Sequence, residues 1–165
     1  MSTKKETPLL YKTYLAVIKN SVGTKTFRSC YARVGGKNNY IVRDVTEKGN
    51  LSCAFFVSSI LVIFKLIKEI HLTVAGTIRD LELSGWEKIK KPKIGSVLIW
   101  EPVDFGGGGI HKHNGFYIGN NKAISNSAKL GYPVIHHWTF GNKNGQPGRK
   151  IIAIYWHKKL EKSAN

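Results

Sequence analysis

Cys53 opens an apolar run, LSCAFFVSSI over Leu51 to Ile60, at the point where a polar stretch gives way to a helical hydrophobic pattern. With Asn50 or Ser52 as cap, the thiol falls in the first helical turn. Unpaired N–H groups and the helix dipole there favour a thiolate, and the same N–H groups can hold an oxyanion. An inert buried cysteine is the commoner fate of such a residue, so the thiol needs a partner. A nucleophilic thiolate uses a histidine that takes its proton and passes it to the leaving group. Of the six histidines, His71 follows the far end of the helix and His157 lies in a basic tail. His136 and His137 are adjacent on a strand, so only one of them can face a given site. His111 and His113 come directly after the glycine run Gly106 to Gly109, at the start of a strand that would hold a side chain both rigid and exposed. His111-Lys112-His113 could instead offer two metal ligands. Only Glu101 and Asp104 stand near in sequence to complete that set, and neither a metal nor a cofactor is expected.

These residues need elements to position them. Residues 1–8 read as a disordered polar tail, and 9–160 as one catalytic domain. Leu10, Tyr14, Val17 and Ile18 fit a short amphipathic helix from Leu9 to about Ile18. Gly35-Gly36 and Asn38-Asn39 mark loop, and Tyr40 to Gly49 is a turn-rich approach to Cys53. Ala54 to Ile70 is apolar on almost every side through Phe64, which predicts a central helix covered all round. A further helix from Thr73 to Leu83 stops at Ser84-Gly85. Beyond it the period changes. Ser96–Trp100, His113–Ile118, Lys122–Asn126, Val134–Trp138 and Ile151–Trp156 are short, β-branched and aromatic, as antiparallel strands are. Helices first and strands second predict an α+β fold, with the Cys53 helix packed on a C-terminal antiparallel sheet.

Charge is the compositional outlier: 26 Lys and Arg against 10 Asp and Glu give a net +16. Such a surface attracts anionic polymers, whether nucleic acid or cell wall. The two cysteines provide no disulfide framework, and 42% hydrophobic content excludes wholesale disorder. No signal-peptide core is visible among the first residues, which Glu6, Pro8, Lys12 and Lys19 interrupt. The longest apolar run is shorter than the roughly 18 residues of a membrane span, so none is expected.

Cys53-Ala54-Phe55-Phe56-Val57 resembles the C-x-x-F-V opening of the catalytic helix in NlpC/P60-type (papain-like) cysteine peptidases. Pro92 to Trp100 (PKIGSVLIW) is similar to their PKPGDLVFF strand, and His113 to Asn120 (HNGFYIGN) to their HVGIYIGN catalytic-histidine strand. The three segments keep the family's order over roughly residues 40–126. The resemblance implies Cys53 as nucleophile and selects His113 over His111. It also implies a papain-like fold, a peptide amide of peptidoglycan as substrate, no cofactor, and a secreted or wall-associated setting. Ser52 and Ser96 stand where the family usually has Asp, which bears on substrate choice.

The family's third member lies on the strand after the histidine and orients its ring. Hairpin length decides which residue that is here. A three-residue Gly119-Asn120-Asn121 loop brings Ser125 to the His113 face, whereas a two-residue Asn120-Asn121 turn brings Asn126. Asn126 is the preferred third member, for its turn type and its amide acceptor, with Ser125 second. The expected activity is thus cleavage of a stem-peptide or cross-bridge amide through Cys53, His113 and Asn126 or Ser125, with the glycine run as a rim to the groove. The rivals are an amidase or acyltransferase acting on a non-wall substrate, and a non-catalytic cationic module that binds nucleic acid or cell wall.

Overall fold

The computed structural model describes residues 6–104 and 109–161. The chain runs α1 (Leu10–Asn20), β1 (Tyr31–Gly35), β2 (Tyr40–Asp44), α2 (Cys53–Ile63), α3 (Val74–Leu83), β3 (Trp86–Lys88), β4 (Val97–Asp104), β5 (Ile110–Gly119), β6 (Lys122–Ser127), β7 (Tyr132–His137), β8 (Asn142–Lys143), β9 (Gln146–Pro147) and β10 (Ile151–His157). The fold is α+β. Six strands form one antiparallel sheet in the order β3-β10-β4-β5-β6-β7, while β1-β2 and β8-β9 are separate two-stranded hairpins. Of the expected tail, residues 1–5 lie outside the described residues, as do 106–108 of the glycine run. Among the described residues no helix is long and apolar enough to cross a membrane.

Alternation along the strands divides the sheet into two faces. Val97 and Ile99 on β4, Phe116 on β5 and Ile124 on β6 turn toward the helices. Leu98, Trp100 and Ala123 turn the other way. The helix α2 packs on β5 and β6. Phe56, Val57, Ile60 and Leu61 are fully buried there, and the Phe56 ring meets Phe116 edge to face at 5.6 Å. Each such side chain contributes about 1.5–3 kcal/mol through burial. α1 is tethered to the segment before β4, with Tyr14 Oη donating to the Gly95 carbonyl at 2.8 Å.

The Cys53 helix is shorter than its apolar pattern suggests. It ends at Ile63 because Lys65 adopts a left-handed conformation with φ of 52°. Leu66 N–H then donates to Leu61 O at 2.9 Å, and Lys65 N–H to Val62 O at 2.9 Å. This is a Schellman stop built on lysine, without the glycine that usually announces one. Leu66 and Ile67 stay buried as loop. The Asp80 carboxylate accepts from the N–H groups of Lys68 and Glu69, so the chain after the helix is fixed by α3.

The approach to Cys53 also departs from expectation. Residues 31–44 form the β1-β2 hairpin with Tyr31, Ile41 and Val42 exposed, so no apolar face announces it in the sequence. Asp44 closes its base, accepting from the N–H groups of Cys30, Thr46 and Lys48 and from the Thr46 hydroxyl. These bonds, Thr46 Oγ1 first, hold its carboxyl far below the usual carboxylate range. Tyr40 carries Arg33 over its ring at 4.7 Å on the hairpin.

Candidate active site

Cys53 is the first residue of α2, and Ser52 at the cap position makes no side-chain cap hydrogen bond. The first N–H groups of the helix therefore keep no capping side chain. The lead-in is fixed from the other side of the molecule. Gly49 has φ of 94°, and a Cβ placed there would lie 2.5 Å from both Cα and O of Gly131 in the β6-β7 turn. Asn126 Nδ2 donates to Gly49 O at 2.6 Å.

His113 stands on β5 opposite Trp100, with the ring centroids 5.4 Å apart. Its partner is Ser125: His113 Nε2 and Ser125 Oγ are 2.8 Å apart. Asn126, the preferred third member, does not meet His113. The physical reason is a bulge. Gly119 pairs with Lys122 across a two-residue turn in which Asn120 and Asn121 both have positive φ, the type I′ geometry. The register then shifts by one between Tyr117 and Gly119, so Tyr117 pairs with Ala123 and Phe116 with Ile124. The extra residue on β5 reverses the parity that the turn alone would set. Ser125 consequently shares the His113 face, and Asn126 turns to the helix side. Gly115 makes the fit possible, since a Cβ there would lie 2.7 Å from Ser125 Cβ and 2.5 Å from Ile124 O.

Ser125 has a second partner that the sequence reading set aside. Its Oγ lies 2.7 Å from His136 Nε2, and His136 Nδ1 lies 2.8 Å from His137 O. The His136 ring stacks on Phe140 at 4.1 Å and 21°. Nothing in the sequence separates His136 from His137 until the β6-β7 register pairs His136 with Ala123, on the Trp100 face.

Cys53, His113, Ser125, Asn126, His136 and Arg149 line one cleft of about 820 Å³. Arg149 is a second residue that sequence reasoning missed. It is 4% exposed and sits between β9 and β10, where only loop closure brings it to the site. Its Nε and Nη2 donate to Glu101 O at 2.9 and 2.7 Å, and Nη2 also donates to His111 O at 2.9 Å. His111 also lines the cleft and is exposed. Among the described residues, no group of three or more His, Cys, Asp or Glu could hold a metal ion. Cys30 and Cys53 are both free thiols.

The electrostatics correct one expectation. Burial pushes the Cys53 thiol up, against the opposing pull of the Asn114 and Ala54 N–H groups and the Arg149 charge. Burial first, then the charges of Arg149 and His136, push His113 down to about 3. Both shifts favour the neutral thiol and the neutral imidazole, and no hydrogen bond joins the two among the described residues. In the free protein, iodoacetamide alkylation of Cys53 is therefore expected to rise with pH through a midpoint above the ordinary thiol value of about 8.5. Rapid alkylation persisting near pH ~6 would reveal a preformed ion pair and overturn the neutral assignment.

No protein-family model matches the chain, and no curated protein matches it.

Proposed function

We propose that the chain is a cysteine hydrolase of the NlpC/P60, papain-like kind that cleaves a peptide amide of peptidoglycan. The observation that carries this reading is that Cys53, at the uncapped start of α2, and His113, held by Ser125, line one cleft. Ser125 occupies Nε2, so Nδ1 of His113 is the nitrogen left for the thiol. His113 takes the thiol proton as Cys53 attacks the amide carbonyl, then gives it to the departing amine. The first N–H groups of α2 receive the charge that develops on the carbonyl oxygen. Water releases the acyl group by the reverse sequence. The net +16 suits an anionic wall polymer.

A second reading has its own support. Leu51, Leu72, Val74, Ile110 and Val134 give the cleft an apolar wall, which suits an acyl group of aliphatic character and hence an amidase or acyltransferase. Mass spectrometry of purified wall fragments separates the two. Wild type is expected to release new peptide fragments and Cys53→Ala none. Identical product profiles for the two proteins would exclude wall hydrolysis. Turnover confined to aliphatic esters or amides would favour the second reading.

A further inference from the structure

The chain of hydrogen bonds behind His113 has a direction that its endpoints dictate. His137 O is a carbonyl and can only accept, so His136 Nδ1 carries the proton of that 2.8 Å contact. A neutral His136 then presents a lone pair at Nε2, and the Ser125 hydroxyl, 2.7 Å away, must donate to it. Ser125 Oγ is left to accept from His113 Nε2–H at 2.8 Å. With the proton on Nε2, the lone pair of neutral His113 lies on Nδ1.

We propose that His136 is a positioning residue which, acting through Ser125, fixes His113 in the Nε2–H tautomer and so keeps Nδ1 ready to take the Cys53 proton. The proposal rests on Cys53 and His113 as the reacting pair. It adds a fourth member that touches neither substrate nor sulfur. Every part of the relay is held in place. Ser125 is 1% exposed, and the His136 ring lies flat on Phe140 and 5.7 Å from Trp100. Phe140 reaches that stack with φ of 58°, a conformation bulky residues rarely adopt. Its N–H donates at 2.8 Å to the same His137 carbonyl that receives His136 Nδ1–H, which ties the stacking residue to the proton donor. Burial pulls His136 below the ordinary imidazole value and keeps it neutral near pH 7, as the direction requires. The groups facing it are Ser125 and His113 across the sheet and His137 on its own strand. Once the thiol proton has moved to Nδ1, the imidazolium still donates Nε2–H to Ser125. The relay therefore steadies the charged state without passing a proton along.

The test reads the ring nitrogens directly and needs no substrate. In full-length protein with ¹⁵N-labelled histidine, His113 is identified by the signals lost in His113→Gln. Wild type is expected to show Nε2 protonated and Nδ1 unprotonated. His136→Leu and Ser125→Ala are each expected to give a mixture of both tautomers and to slow iodoacetamide alkylation of Cys53 about tenfold at fixed pH. The double variant should be no slower than Ser125→Ala alone, because His136 acts only through that hydroxyl. His136→Gln, which keeps an acceptor for Ser125, should restore wild-type behaviour. An Nδ1–H tautomer in the wild type, unchanged His113 signals in His136→Leu, or losses that multiply in the double variant would each overturn the proposal. Should His136→Leu fail to fold, Ser125→Ala and His136→Gln still decide it. The measurements stand whether or not wall fragments are cleaved, so failure of the relay is distinguishable from failure of the hydrolase reading.

Discussion

Replacing His113 with glutamine is expected to slow the proposed amide hydrolysis by about 10²–10⁴-fold and to make the protein more tolerant of acid. Glutamine carries an N–H that can still reach Ser125, so the fold behind the site is kept, but it cannot accept the Cys53 proton. The gain in acid tolerance follows from linkage. His113 is pushed from 6.5 down to about 3 in the folded protein, by burial first and then by Arg149 and His136. Between those values the unfolded chain binds a proton that the native protein refuses, so unfolding is favoured increasingly as pH falls. The stability tied to this ring is complete above about 6.5, the unfolded value, and is lost as pH drops toward 3. Glutamine has no such proton to bind. Thermal melts from pH ~7 down to ~4 should show a shallower decline for His113→Gln than for wild type. His136 and His157 are lowered by burial as well, so part of the decline should persist. Equal slopes would mean that His113 is not held neutral, and retained activity would remove it as the base.

Gly49→Ala should be a strongly damaging single methyl group to add ahead of Cys53. Two costs combine there. At φ of 94° a side chain is strained by about 1–3 kcal/mol. The new Cβ also meets backbone atoms of Gly131 at 2.5 Å, and backbone cannot rotate away as a side-chain tip can. Forcing such a contact costs about 1–3 kcal/mol more. Gly23 supplies the control, since its φ of 76° is similar and a Cβ there meets nothing within 4 Å. Urea unfolding is expected to place Gly49→Ala below Gly23→Ala by the contact cost alone. Equal losses would show that the Gly49-Gly131 approach is dispensable. The same variant should change Cys53 alkylation, because Gly49 O is also where Asn126 holds the lead-in.

Much of the architecture was readable because apolar period follows geometry. The strand IIAIYW, the all-round apolar helix beginning at Cys53 and the Ser84-Gly85 stop each carry their own signal. What escaped depends on backbone states that side-chain types do not announce. Lys65 takes the left-handed position where glycine is expected, and a helix read to Ile70 ends at Ile63. The β1-β2 hairpin buries too little to leave an alternating pattern. At the site, the residue types and order pointed to Cys53 and His113. The choice between Ser125 and Asn126 turned on one bulge near Ile118, which no residue type in the HNGFYIGN stretch declares. His136 and Arg149 were hidden for a related reason: both reach the cleft only after strands distant in sequence have found their register.

That register has a temporal consequence. β10, the last strand among the described residues, is an interior strand, paired with β3 on one side and β4 on the other. Arg149 lies immediately before it and holds the carbonyls of Glu101 and His111 beside the cleft. During synthesis Cys53, His113 and Ser125 all emerge before the segment that closes their sheet and brings in the cation. Contacts between such distant parts of a chain form late. The nascent protein therefore carries its thiol unassembled until β10 has been made, and the cleft matures only once that strand has paired.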